Sequence, residues 1–394
     1  MKITIIGIND RLPEFTEEVQ TFIASVNFFA GGNRHHELVK QFLPEKYHWS
    51  PIVVPLSGLF EDIQNKKGNW VVFASGDPLF FGIGNTLKRE FPDSEIKVLP
   101  QFNSLQLLAH RLGLNYGEFP VVSLTGRPWH EFDKALIQGT NRMAILTDRK
   151  KTPVEIIGRM LNYGYSNYRI YYGEKMGGEN ERVMVLDAED ISKLDFKHPN
   201  CFFLEKTDDA IPARGIPEES FEPLEGRPRM ITKMPIRITT LALMQLLRRK
   251  VFWDVGACTG SVSIEARLKH PHLQITAFEI RSESEGIIHR NAQKFQAPGI
   301  YLIVGDFLKA KKEKLAAPDA VFIGGYGGKM EEVLDDVNKY LLVGGVIGFN
   351  SVSGQSRTRF LSWCSHNRFE ITQQQQIQVD DHNPISILIA EKKR

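Results

Sequence analysis

Short apolar runs rich in Ile, Val and Phe recur along the first half of the chain, separated by stretches whose apolar positions repeat every three to four residues. The first kind reads as buried strand and the second as amphipathic helix, which predicts an α/β domain with a largely parallel sheet. Strands are expected at 3–6, 28–30, 71–74, 121–124, 143–146, 169–172, 182–186 and 201–204, and helices at 13–25, 79–91, 104–112 and 153–163. The pattern breaks at 207–229, TDDAIPARGIPEESFEPLEGRPR, where prolines and charges carry no sustained period, and this segment reads as an interdomain linker. A helix at 235–247 then opens a second α/β series. Its strands are expected at 251–255, 275–278, 300–304, 320–323 and 346–350, its helices at 261–269, 282–295, 330–340 and 356–366, with closing β runs at 369–377 and 385–390. Domains are therefore expected at 1–206 and 230–394.

A chain of 394 residues is longer than one core usually serves, which agrees with two domains. Its 42% hydrophobic and 24% charged residues lie in the ordinary globular range. The net charge of +2 signals no concentrated basic face, so no nucleic-acid partner is expected. Cys201, Cys258 and Cys364 are odd in number and far apart, offering neither a disulfide framework nor a zinc site, and a reducing cytoplasm fits them. No run of eighteen apolar residues occurs, and MKITIIGIND falls short of a signal-peptide core, so a membrane partner is not expected either. The adjacent pair His35 and His36 cannot share one helix face and lacks an evident third ligand, so no metal site is expected.

Chemistry concentrates in two places. In the second half, WDVGACTGSVSIE (253–265) sets a Gly-rich turn between a strand and a helix, where the backbone can approach a ligand and helix N–H groups stay free for oxygens. Glu279 ends the next expected strand, positioned to accept hydrogen bonds from ribose hydroxyls, and Asp306 with Phe307 ends the one after. A dinucleotide site would show G-x-G-x-x-G; Gly256-Ala257-Cys258-Thr259-Gly260 is closer to the G-x-G-x-G loop of methyltransferases. Cys258 stands where that loop has glycine, which is costly if the backbone there needs a positive φ. In the first half, SGDPLFFGIG (75–84) is again strand, turn and helix, with Asp77 expected to cap the helix and Pro78 in its first turn.

The segments MITKMPIRITTLALMQLL (230–247), DVGACTGSVSIEA (254–266), DAVFIGGYGGKMEEVL (319–334) and LLVGGVIGFNSV (341–352) resemble the decarboxylating corrin-precursor methyltransferases of cobalamin biosynthesis. That resemblance implies a Rossmann-like S-adenosylmethionine-dependent domain that methylates position 15 and removes the ring C acetate carboxylate. It implies cofactor contacts at Thr232, Gly256, Ala257, Cys258, Thr259, Gly260, Glu279, Asp306 and Phe307, with the loop Gly324, Gly325 and Gly327 at the mouth. SGDPLFFG, together with GGNRHHEL (31–38), FNSLQL (102–107), SLTGR (123–127), LTD (146–148) and GEKMGG (173–178), resembles the tetrapyrrole methylase family, in the branch that methylates position 5. There the resemblance implies cofactor roles for Ser75, Gly76, Asp77 and Ser104. GIND (7–10) and Thr125 depart from that family's pattern, so no role is carried over to those loops.

A tetrapyrrole substrate, precorrin or cobalt-precorrin, carries acetate and propionate carboxylates. Arg34, His35 and Arg127, and in the second half Lys233 and Arg237, are the candidate cations to meet them. The cofactor expected is S-adenosyl-L-methionine, the assembly a homo-oligomer. The competing readings are an RNA- or protein-modifying methyltransferase, which would favour a basic stripe that the chain lacks, and a non-catalytic cofactor-binding module.

Overall fold

The computed structural model describes residues 1–208, 214–228, 230–380 and 383–394, so part of the expected linker, 209–213 and 229, lies outside the described residues. The chain divides into two compact units. One gathers Met1–Arg127, Asn141–Ile157 and Asn167–Thr207, and the other Pro128–Thr140, Gly158–Ser166 and Asp208–Arg394.

The first unit holds two sheets. Strands β1 (Lys2–Ile8), β2 (Phe28–Gly31), β3 (His48–Pro51), β4 (Trp70–Ser75) and β5 (Glu95–Leu99) form a parallel sheet of order β3-β2-β4-β1-β5. Both faces are buried: Ile3, Ile5, Val72 and Leu87 pack on one side, and Ile6, Phe29, Val71 and Phe73 on the other. Burial on both faces is why β1 and β4 read as near-continuous apolar runs. The second sheet, β6 (Val121–Ser123), β7 (Arg142–Leu146), β8 (Tyr168–Glu174), β9 (Arg182–Asp187) and β10 (Asn200–Lys206), has the order β6-β7-β10-β8-β9. Only β6 and β7 run parallel there, so the expectation of a largely parallel sheet holds for the first sheet and not for the second.

The second unit carries a seven-stranded sheet built from β11 (Val251–Val255), β12 (Gln274–Glu279), β13 (Ile300–Val304), β14 (Ala320–Ile323), β15 (Val346–Ser351), β16 (Phe369–Ile377) and β17 (Ile385–Lys392). Its order is β13-β12-β11-β14-β15-β17-β16, parallel except where β17 pairs with β15 and β16. After β11 the chain leaves toward β12, and after β14 toward β15. The crevice between β11 and β14, at their carboxyl ends, is therefore the switch point where ligands of open α/β sheets bind.

Candidate functional site

A cavity of about 800 Å³ opens at that switch point. Its floor is the loop after β11. Gly256 has φ +82°, Cys258 +53° and Gly260 +76°, so the chain coils through left-handed backbone three times in five residues. Gly256 is required by crowding as well as by angle, because a Cβ there would lie 2.5 Å from the Gly325 nitrogen. Gly260 turns the chain into the helix Ser261–Lys269, whose first residue lines the cavity. The expected cost of a side chain at 258 is real, since Cys258 adopts the angle that glycine would take freely.

Thr232, Lys233, Gly256, Ala257, Cys258, Thr259, Glu279, Asp306, Phe307, Gly324, Gly325 and Gly327 all line this one cavity. Glu279 is buried, and three of its four lone-pair positions are taken. Oε2 accepts the Cys258 N–H at 2.7 Å, while Oε1 accepts the Arg281 N–H at 3.0 Å and its guanidinium at 2.9 Å. One position on Oε2 is left for a ligand hydroxyl. Asp306 Oδ1 accepts the Leu308 N–H at 3.0 Å, leaving Oδ2 for a ligand donor. The Phe307 ring packs edge-on against Phe278 at 4.9 Å, and the buried Lys312 ammonium sits 4.2 Å over it while pairing with Asp336 at 2.8 Å.

Two polar atoms in the cavity wall, Asp254 Oδ1 and Thr259 Oγ1, are buried without a hydrogen-bond partner. Groups of this kind are rare in finished cores and suit a polar ligand. The other Asp254 oxygen accepts from Ser263 Oγ at 2.6 Å, and burial pushes the carboxyl up to about 7. Sequence reasoning assigned Asp254 no role; the available signal was a carboxylate inside the apolar strand VFWDV. Lys329, after β14, Asn350, in β15, and Val352, just beyond it, also line the cavity and were missed, because within the segments that carry the resemblance no role was assigned to residues other than the glycines.

Arg237 is a correction. It is fully buried and pairs with Glu265 at 3.2 Å, and it donates to the backbone carbonyls of Thr232 and Ile216, so no substrate carboxylate reaches it. Its charge is spent inside the fold.

In the first unit the carboxyl ends of the paired strands β1 and β4 lie side by side. A Cβ on Gly7 would fall 1.9 Å from the Gly76 carbonyl oxygen, and Gly76, at φ +58°, crowds the Asn103 Cα. Asn103 caps the helix Ser104–Leu112, which brings the Ser104 region to the Ser75–Asp77 turn as the motif requires. Across this crevice Arg34 joins Asp10 at 2.6 Å to Ser75 Oγ at 2.7 Å. The Gly32 N–H points at His35 Nδ1, so Nε2 carries the proton and donates to Ser75 Oγ at 3.0 Å. With both lone pairs filled, the Ser75 hydroxyl can meet a ligand only as a donor. Burial first, and then the neighbouring Arg34, push His35 down to about 4, so it is neutral near pH 7 and is not the cation that was expected. Arg127 is tied to Ser123 Oγ at 2.7 Å and lies 5.0 Å over the exposed Phe81 ring. Asp77 also differs from expectation. It accepts the Leu79 N–H at 2.8 Å in a turn, and the helix Ile83–Glu90 begins later with Gly82 as its cap.

Residues 2–192 match the family described as Tetrapyrrole (Corrin/Porphyrin) Methylases, and 226–389 match the Precorrin methyltransferase domain. A Sinorhizobium sp. protein named precorrin-6Y C(5,15)-methyltransferase (decarboxylating) is 32% identical over 359 residues, covering 89% of this chain and 84% of that protein. A Salmonella typhimurium protein named cobalt-precorrin-6B C(15)-methyltransferase (decarboxylating) is 37% identical, covering 36% of this chain and 73% of its own length. A second from the same organism, named cobalt-precorrin-7 C(5)-methyltransferase, is 29% identical, covering 41% and 79%. With two successive domain families in one chain and a relative similar along nearly its whole length, this protein belongs to the precorrin-6Y C(5,15)-methyltransferase (decarboxylating) family.

Proposed function

We propose that the chain methylates a corrin-ring precursor at positions 5 and 15 with S-adenosyl-L-methionine as methyl donor, and removes the carboxylate of the ring C acetate. The first unit serves position 5 through Ser75, Gly76, Asp77 and Ser104. The second serves position 15 and the decarboxylation through the cavity between β11 and β14. The observation that carries the reading is the convergence of three successive strand ends, at Gly256–Thr259, Glu279 and Asp306, on one cavity with two unpartnered buried polar atoms in its wall; Gly260, expected among the contacts, does not line it.

When bound, S-adenosylmethionine supplies a methyl group on a sulfonium sulfur, electrophilic toward an enamine-like ring carbon. The protein's part is alignment and exclusion of water. The pinched glycine loops allow close backbone approach, Glu279 and Asp306 orient the nucleoside, and the apolar walls of Ile236, Val255 and Phe322 keep water from the reacting atoms. On the cavity wall Lys329, and Lys233 in exchange for its pairing with Asp380 at 3.5 Å, offer cations to the ring's carboxylates. In the decarboxylation the bond to the acetate carboxylate breaks, carbon dioxide leaves, and the electron pair passes into the conjugated macrocycle, which later takes up a proton. No nucleophile is required of the protein.

Mass spectrometry of metal-free and cobalt-bearing precursors after incubation with the full chain and S-adenosylmethionine tests this. The expected product has gained two methyl groups and lost one carbon dioxide; a product unchanged in mass with either precursor would refute the reading.

A further inference from the structure

One wall of the second-unit cavity is a strap of backbone, Met230 to Lys233, which crosses above the loop after β11 and belongs to no helix or strand. Several bonds hold it and the residue that follows it. The buried Arg237 donates to the Thr232 carbonyl at 2.7 Å, and Arg237 is itself locked by Glu265, which accepts the Gly215 N–H at 2.7 Å. The Met234 N–H donates to Glu218 Oε2 at 3.1 Å. Nearest the cofactor loop, Cys258 Sγ lies 2.9 Å from the Met230 carbonyl.

Cys258 is thus bonded in two directions: its N–H goes to Glu279 and its thiol to the strap. Its φ of +53° is one that glycine adopts without penalty, so a side chain here costs backbone energy that a glycine would not. What the side chain adds is the contact to Met230. Burial pushes the thiol up to about 11, so it keeps the proton that this contact needs.

We propose that Cys258 is a positioning residue, whose thiol staples the 230–233 strap to the cofactor loop and so closes the wall of the cavity against the bound nucleoside cofactor. The inference rests on the reading that S-adenosylmethionine occupies this cavity. The strap is then tied to Glu279 through one residue, and Thr232 and Glu279 line the same cavity.

The test uses the full chain with Cys258→Gly, Cys258→Ala and Cys258→Ser. Amide hydrogen exchange across 227–234, without any ligand, should rise in the Gly and Ala variants and return toward wild type in the Ser variant, whose hydroxyl also donates to Met230. The KM for S-adenosylmethionine in carbon dioxide release should rise about two- to fivefold in Gly and Ala, the range of one weak S–H hydrogen bond, and recover in Ser. The melting temperature of Cys258→Gly should stay at or above that of wild type, because the strained angle is relieved. Unchanged exchange in the Gly variant, or failure of Ser to restore both readouts, would overturn the staple. If the wild type itself released no carbon dioxide, the functional reading would fall, and the exchange measurement would still decide whether the staple exists.

Discussion

Glu279 and Asp254 are two carboxylates in the wall of the same cavity, and their surroundings give them different work. Glu279 holds the Cys258 N–H and Arg281. Glu279→Ala removes the charged acceptor offered to the ribose and also frees the loop, so the KM for S-adenosylmethionine in carbon dioxide release should rise about ten- to a hundredfold. An unchanged KM would remove Glu279 from the cofactor site. Asp254 titrates near 7 in the fold against an ordinary 3.8, so between those values the folded state binds more protons than the unfolded one. The stability of the protein should therefore fall as pH rises from about 4 to about 7 and level off above. Asp254→Asn cannot titrate, and its stability relative to wild type should climb through the same window, as denaturant midpoints at several pH values would show. Glu279 was legible in the sequence because it stands one strand beyond a Gly-rich turn. Arg237 was misread because sequence gives its charge and not its burial, and the partner that buries it, Glu265, lies on another helix.

At the scale of elements, the helices Ser104–Leu112, Ser261–Lys269 and Met330–Tyr340, and the strands β11, β13 and β14, fall where the apolar periodicity puts them. The strands that escaped notice, β3 and β5, are the two edges of the first sheet. Edge strands bury little, and HWSP and EIKVL accordingly carry Pro, Lys and Glu, which hides them from a search for apolar runs. The helices Asn33–Val39, Ser57–Asn65 and His130–Ile137 were missed for a related reason, being short and having Gly32, Leu56 and Trp129 at the N-cap in place of Ser, Thr, Asp or Asn. The turns at the strand ends are less forgiving than the strands themselves. Gly256→Ala would need a Cβ 2.5 Å from the Gly325 nitrogen at φ +82°, so it should cost at least about 1–2 kcal/mol of stability and abolish methylation at position 15. Gly7→Ala, which would drive a methyl into the Gly76 carbonyl, should do the same to position 5. Denaturant melts and product masses of the two variants check both.

For the whole molecule, the assignment of one reaction to each unit predicts separable defects. Gly76→Val with Asp77→Ala should block the first site, leaving a product with one added methyl group and one lost carbon dioxide. Gly256→Val with Gly260→Val should abolish both the position 15 methyl and the release of carbon dioxide, because those events share one bound ring. If the first variant lost carbon dioxide release and the second kept it, the division of labour would be reversed. Two unlike domains were legible from the two unlike glycine turns, whereas the break at 207–229, read as a linker, belongs in its described part to the second unit, where Ile216, Phe221 and Leu224 are buried. The grouping of Pro128–Thr140 and Gly158–Ser166 with the later part of the chain was not legible, since it follows from packing and leaves no mark on the local pattern. Within the second unit the backbone of Gly256 is packed against that of Gly325, so neither loop can shift without the other giving way. A ligand that shifted one loop on binding would therefore change the binding constant at the other, and thermodynamic reciprocity would make the factor equal in both directions. Ring and methyl donor would then report on each other's arrival, and departure of the spent donor would loosen the grip on the finished ring.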